Sequence, residues 1–362
     1  MKPSGREPGK PIRVGLIGYG FWGVNHCRVL AGIAGVDLTV IESRPDRLRA
    51  ALSAFPTLHT ASSLNEVQDQ LDAVVIATPS ITHSAIALKA LRAGLHTLIE
   101  KPMTTTVSES EALVQTASAA GLTLMVGHTF EYHSAVWELK QIVRSGELGH
   151  IVQIDTERLQ SGPGPRDDCN VIWDLAPHDI SIASYLLDGF PDTVSVSAQH
   201  NLGEHADVAY IRMDFISAAA QAFVHVRWLS PEKVRRVTVV GDRRTAIFND
   251  LAEHERVRIF DAGVDPAEID ERAWNALPAL SGSGEIGSTE VQFVEPLLVQ
   301  DSHFIDCVRS GSRPNTPGER GLGVVRVLAA TDEAIAQGVP VPTQLTPANS
   351  IATMAAGAEE FS

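Results

Sequence analysis

Two groups of residues in this chain have the types and spacing that chemistry needs. In GLHTLIEKPMTTT, residues 94–106, an apolar run ends in Glu100 and Lys101, and Pro102 follows at once. Charges at a strand end usually mark only the way out to solvent. A lysine there can also hydrogen-bond a substrate oxygen, stabilise a developing alkoxide or, with its pKa lowered by burial, take a proton. The second group is Asp174 and His178 in WDLAPHDIS. Residues four apart share one face of a helix. A carboxylate beside an imidazole fixes its tautomer and raises its basicity, which suits proton removal from an alcohol. Taken alone, each has a plainer reading: His178 as a satisfied core histidine, and Asp174 as a helix N-cap with Pro177 at the third helical position.

The elements that must position these residues can be read from periodicity. IRVGLIGYG is an apolar run ending in glycines, and FWGVNHCRVLAG follows with helical spacing. DLTVIES, the almost wholly apolar LDAVVIATP, HTLIE and LTLMVGH read as further strands, with helical segments between them. This β–α alternation predicts a doubly wound parallel sheet. Gly18-Tyr19-Gly20-Phe21-Trp22-Gly23 follows its first strand and opens a helix, the context in which GxGxxG binds a dinucleotide. Gly18 permits the tight turn, Gly20 the approach of a pyrophosphate, and Gly23 close packing of helix on strand. Glu42 ends the second strand, where a carboxylate accepts from adenosine ribose hydroxyls and repels a 2′-phosphate, so NAD is expected. Arg44, two residues on, keeps NADP open as the alternative. Lys101 would then lie at the carboxyl edge of the sheet, the ligand crevice of such folds.

From about residue 150 the pattern changes. HIVQIDTERLQ, DTVSVSAQH, DVAYIRMDFIS, AQAFVHVRWLS, VRRVTVVGD and RTAIFND alternate polar with apolar and predict one large, mostly antiparallel open sheet. The 362 residues exceed what one compact core usually holds. The expected division is 11–129 and 130–343, with late helices able to pack back on the first domain and flexible tails at 1–10 and 344–362. A net charge of -15 with no basic run argues against nucleic acid and anionic membrane surfaces as partners. Cys27, Cys169 and Cys307 form no CxxC pair, which argues against a disulfide framework or structural zinc and fits a reducing compartment. With a polar MKPSGREPGK start and no apolar run of membrane-spanning length, a cytoplasmic protein is expected. The spacing of Asp167, Asp168, Cys169 and His178 matches no common metal site, and no metal is expected.

GLIGYGFWGVNH, VVIATPSITHSAIALKALRAGLHTLIEKPM and WDLAPHDISI resemble the glucose–fructose oxidoreductase, inositol 2-dehydrogenase (Gfo/Idh/MocA) family, over about residues 12–338. WDLAPHDIS, WLSPEKVRRVTVVGD and DSHFIDCVRSGSRP are most similar to its sugar and nucleotide-sugar 3-dehydrogenases, which serve polysaccharide and antibiotic pathways. The resemblance implies a Rossmann domain followed by an α/β domain whose open sheet makes a homodimer or homotetramer. It implies Lys101, Asp174 and His178 at the substrate, and a Lys101–Pro102 peptide that is often cis. It extends the cofactor contacts to Phe21, Trp22, Ser43, Arg44, Thr78, Pro79, His83, Glu100 and Lys101. The substrate contacts it adds are Thr129, Arg158, Arg166 and Asn170. Many members carry Asn at the position of Thr129 and Arg near Glu131, so GHTFEYH departs from the family and leaves the sugar open. The activity implied is hydride transfer between NAD and a secondary carbinol carbon of a sugar, with either Lys101 or His178 as base. An NAD-using glycoside hydrolase and a non-catalytic dinucleotide-binding sensor are the alternatives. Lys101, Asp174 and His178 together argue against a sensor, which has no need of all three.

Overall fold

The computed structural model describes residues 10–161, 169–261, 284–289 and 292–343. The expected tails, apart from Lys10, and Arg166 lie outside the described residues. The chain forms two compact units: one runs to Tyr132 and takes in Glu295–Val325, and the other comprises His133–Val294 and continues from Arg326.

The first unit holds strands β1 (Ile12–Ile17), β2 (Val36–Ile41), β3 (His59–Ala61), β4 (Ala73–Ile76), β5 (His96–Glu100) and β6 (Leu124–Gly127). Its helices are α1 (Phe21–Gly32), α2 (Pro45–Ala54), the single turn α3 (Leu64–Val67), α4 (His83–Arg92) and α5 (Val107–Ala120). All its strand pairs are parallel, in the order β3-β2-β1-β4-β5-β6. The order reverses between β1 and β4, the switch point at which such sheets bind ligands. Every residue of β4 is buried, because a parallel sheet is covered on both faces. The core joins Ile12, Val14 and Leu16 of β1 to Cys27 and Leu30 of α1.

The second unit holds α6 (Ser134–Ser145), β7 (Ile151–Leu159), α7 (Val171–Leu186), β8 (Thr193–Gln199), β9 (Val208–Phe215) and β10 (Ala220–Arg227). It continues with β11 (Val234–Gly241), β12 (Thr245–Asn249), β13 (Val257–Phe260), β14 (Glu285–Thr289) and β15 (Val341–Pro342). Helix α8 (Pro296–Ser310) belongs to the first unit, where it packs on α1; α9 (Gly318–Gln337) is shared between the two. The sheet order is β14-β13-β12-β11-β7-β10-β9-β8-β15. Neighbours are antiparallel except β7 and β10, which run parallel. Along β9, Ile211, Met213 and Phe215 are buried while Tyr210 and Arg212 are exposed. The inner face is covered by α7, which packs on β7, β9 and β10.

Asp174, expected as the N-cap, does not cap α7. Helix α7 begins at Val171, and its cap is Asn170, whose Oδ1 accepts from the N–H groups of Ile172 and Trp173, both at 3.0 Å. Asp174 lies in the first turn and Pro177 inside the helix. An interior proline offers no N–H to the carbonyl four residues back and costs about 3 kcal/mol. Burial of Ile172, Leu175 and Ile180 offsets this, at roughly 1.5–3 kcal/mol per large side chain. A start earlier than the proline rule suggests is therefore affordable once the sheet is there to cover.

Candidate active site

The glycine loop joins β1 to α1. Gly18 has φ 95°, and a Cβ there would sit 2.7 Å from the Ala77 carbonyl oxygen. A Cβ on Gly23 would meet the Gly18 carbonyl oxygen at 2.1 Å, so helix and turn touch. Gly20 differs: its nearest neighbour would be Arg47 Nη1, at 3.7 Å. The protein itself leaves room for a side chain at Gly20, which suits a surface that a pyrophosphate must approach. Gly20 is also the N-cap of α1 and no side chain caps that end, leaving first-turn N–H groups to an anion. The residues present thus fit a dinucleotide. Phe21 and Trp22 stand at the loop's outer side, 83 % and 40 % exposed, with their rings edge to face.

Glu42 follows β2 directly and is buried. One carboxylate oxygen accepts from the Tyr19 N–H at 2.9 Å and lies 3.5 Å from Arg47 Nη1. The other accepts from the Arg44 N–H at 3.0 Å and Ser43 Oγ at 3.3 Å. Burial pushes this carboxyl up, but the N–H groups of Tyr19 and Arg44 and the Arg47 guanidinium prevail, and the net shift is downward. Glu42 thus braces the glycine loop as a carboxylate, and a ribose hydroxyl donating to it would displace one of the two longer contacts. The Arg44 side chain is exposed and paired with Asp46 at 2.8 Å. Arg47, absent from the expected site, is the guanidinium that lies over the loop.

At the end of β5, Glu100 is buried and Lys101 half-buried, and the Lys101–Pro102 peptide is cis. His83 spans the carbonyls of Pro102 and Thr78, each at 2.9 Å, and so laces this segment to the Thr78–Pro79 turn. Burial lowers the His83 pKa despite both carbonyls. Its part is thus to hold two backbone segments that the cofactor was expected to touch. Glu100 Oε1 lies 3.0 Å from His26 Nε2, and His26 Nδ1 lies 2.9 Å from Asp301 Oδ2. Burial alone would push the His26 imidazole down; the carboxylates of Asp301 and Glu100 outweigh it and hold it at about 10. Thr129 Oγ1 donates to Gln300 Oε1 at 2.8 Å. Close by, Glu131 is buried and bound to Arg320 at 2.6 Å. His26, Gln300 and Asp301 were not legible as site residues: His26 reads as one more position of a buried helix, and the other two lie far along the chain.

In the second unit, Asp174 and His178 occupy one face of α7, and both are half-buried. The buried indole of Trp228, also missed, donates to Asp174 Oδ2 at 2.9 Å, which fixes the carboxylate in orientation. Asn170 is the cap of α7, and its Nδ2 donates to Asp332 Oδ1 at 3.3 Å. Arg158 is 4 % exposed; its Nε and Nη2 bind the two oxygens of Asp179 at 2.7 and 3.2 Å, tying β7 to α7 in the packed layer. Both were expected at the substrate, and their bonds in the structure hold the helix that carries Asp174 and His178. Among the described residues no group of three or more His, Cys, Asp or Glu could hold a metal ion, and no helix is long and apolar enough to cross a membrane.

Comparison with known proteins matches residues 12–128 to the family model "Oxidoreductase family, NAD-binding Rossmann fold" and residues 136–247 to "GFO/IDH/MocA C-terminal domain". The UDP-N-acetylglucosamine 3-dehydrogenase of Acidithiobacillus ferrooxidans is 32% identical over 255 residues, 70% of this chain and 79% of that protein. A solved oxidoreductase structure from Magnetospirillum magnetotacticum MS-1 is 29% identical with a TM-score of 0.75, over 89% of this chain and all (100%) of that one. The WlbA dehydrogenase of Bordetella pertussis, solved with NADH and UDP-GlcNAcA, shares the fold at 22% identity and a TM-score of 0.75, over 93% of this chain and 100% of that one.

Proposed function

This chain belongs to the Gfo/Idh/MocA oxidoreductase family, and from that premise we propose that it moves a hydride between NAD and a secondary carbinol carbon, C3, of a sugar, amino sugar or nucleotide-sugar. The observation that carries the reading is the joint presence of Lys101 at the end of a Rossmann strand and an oriented Asp174 with His178 on one face of α7. The choice of C3 rests on the similarity to a UDP-N-acetylglucosamine 3-dehydrogenase.

Bound NAD supplies the hydride acceptor. His178 takes the hydroxyl proton as the C–H bond breaks, and Asp174, held by Trp228, orients the imidazole and balances the positive charge it acquires. Lys101 hydrogen-bonds the same oxygen and stabilises its developing negative charge. The reverse assignment, with Lys101 as base and His178 as donor, uses the same groups. Glu42 favours NAD by offering a carboxylate where NADP carries a phosphate.

The test is a panel of UDP-sugars, TDP-sugars and free or amino sugars incubated with NAD and followed by NADH absorbance. Net NADH with one sugar supports the proposal. Release of a glycoside's leaving group without net NADH would replace it by NAD-using hydrolysis. No turnover, with NAD bound, would leave only a sensor. We further propose a homo-oligomer through the outer face of the second sheet. A shallow hollow of about 580 Å³ lies there, lined by Tyr210, Phe223 and His225 among others, with the rings of Tyr210 and His225 stacked at 4.2 Å. Light scattering of wild type and Tyr210→Glu tests it: an unchanged mass in the variant would refute this interface.

A further inference from the structure

We propose that His26 is a positioning residue: bridging Glu100 and Asp301, it fixes the end of β5 that carries Lys101 and, through Gln300, the hydroxyl of Thr129. The proposal rests on the reading of Lys101 as a catalytic residue.

The bonds form a continuous path within the first unit. Thr129 Oγ1 donates to Gln300 Oε1 at 2.8 Å, and Gln300 Nε2 donates to Asp301 Oδ1 at 3.3 Å. Asp301 Oδ2 is 2.9 Å from His26 Nδ1, and His26 Nε2 is 3.0 Å from Glu100 Oε1. The Lys101 N–H then donates to Glu100 Oε2 at 3.2 Å. His26, Gln300 and Asp301 are each 0% exposed and Glu100 6%, whereas Lys101 and Thr129, the two ends, are half-buried. The path is therefore closed in the middle and opens at residues expected to meet the substrate. Gly127 makes room for it: a Cβ there would lie 2.9 Å from Glu100 Oε1.

Energetics argue that packing alone does not account for the cluster. Three ionised groups in a core cost desolvation that their attraction often only matches, and apolar residues of the same volume are often as stabilising. What such a cluster supplies is direction: each carboxylate is held to one hydrogen-bonded orientation. With both ring nitrogens facing carboxylates, His26 is held as the imidazolium, and the three groups together carry one net negative charge behind Lys101. His83 and His128 also feel the Lys101 charge: burial is the first cause of the lowered pKa in both, the Lys101 charge is among the further causes, and Arg320 adds to the effect on His128. Burial thus disfavours the charged form of both histidines, and the cluster is a charged neighbour of Lys101, joined to it through the Glu100 bond.

The experiment measures Lys101 itself and needs no sugar. Competitive acetylation of the full-length chain with acetic anhydride across pH, quantified on the Lys101 peptide, yields the titration midpoint of its amine, with exposed Lys89 and Lys233 as references. His26→Gln leaves two carboxylates uncompensated, and the Lys101 midpoint is expected to rise by about one pH unit while the references stay. Adding Asp301→Asn restores one net negative charge, and the midpoint is expected to return toward the wild-type value, a rescue that a purely space-filling histidine does not predict. Asp301→Asn alone removes a carboxylate and is expected to move the midpoint down, which keeps the proposal testable if His26→Gln fails to fold. A Lys101 midpoint unmoved in the folded variants, or moved without rescue, overturns it. Since no turnover is involved, failure here is separate from failure of the sugar panel.

Discussion

Histidine and carboxylate occur together in two settings, as a bonded bridge at His26 and as residues four apart on one helix at Asp174 and His178. In the first unit His26 is wholly buried between Glu100 and Asp301, and its pKa is held at about 10. In the second, His178 and Asp174 lie half-buried on α7, with Asp174 steadied by the Trp228 indole. The same two residue types therefore suit opposite tasks. A histidine that keeps its proton throughout the physiological range and touches no solvent cannot shuttle protons; it can only hold its neighbours. A histidine on a half-buried face, four residues from an oriented carboxylate, is the one proposed to meet a hydroxyl. On the proposed roles, burial rather than residue type separates positioning from proton transfer.

The sharpest way to break this comparison is at the cation between the two roles. Lys101→Met keeps approximate length and removes the charge. The expected outcome is a loss of about 10²–10⁴ in kcat with little change in NAD affinity, measured by steady-state NADH formation and by fluorescence titration. Near-normal turnover in a folded variant would remove Lys101 from the chemistry.

Next in size is the accessible pair. Asp174→Asn keeps an oxygen to accept from Trp228 but loses the charge. It is expected to lower kcat by about 10²-fold while changing stability by less than about 1 kcal/mol, since no buried donor is orphaned. His178→Ala and the double variant are expected to lose similar activity, because residues that act as one unit are not additive. A variant that melts lower yet turns over normally would make Asp174 a structural residue. A pH–rate profile unaltered by His178→Gln would move the base to Lys101.

The last test reads stability rather than turnover and sharpens the buried side. The His26 pKa is raised from 6.5 to about 10, so the stability it contributes is full below pH 6.5, declines above it, and is gone once pH passes about 10. Thermal melts of the wild type are expected to fall between pH 7 and 10, by the equivalent of at most about 3–5 kcal/mol, the scale of a broken buried pair. In His26→Gln that slope is expected to flatten. Parallel slopes in the two proteins would mean that other groups dominate the pH dependence.

Much of this was legible in the chain because it is local. Apolar runs short enough for strands, alternating with helical periods, imply a parallel sheet with few alternatives. Gly18 and Gly23 are demanded by contacts within a few residues or one strand away, and the motif carries them. Glu42 is found by its place at the end of β2. In the second half, the alternation Tyr210, Arg212 against Ile211, Met213 is enough to orient β9 in a one-sided sheet.

What only the tertiary structure decided is where polar groups spend their hydrogen bonds. The family resemblance implied substrate contacts at Arg158 and Asn170; the fold also uses one to tie β7 to α7 and the other to cap α7, bonds that no local pattern records. Proline rules place the start of α7 near Pro177, and a cap at Asn170 with a sheet to cover starts it earlier. His26, Glu100 and Asp301 are brought together by α1, β5 and α8, from positions up to 275 residues apart. Periodicity reports which face of an element is buried; it carries no record of which distant polar group will meet it there. Charge in a core is settled by partners, and partners are supplied only when the chain has closed on itself.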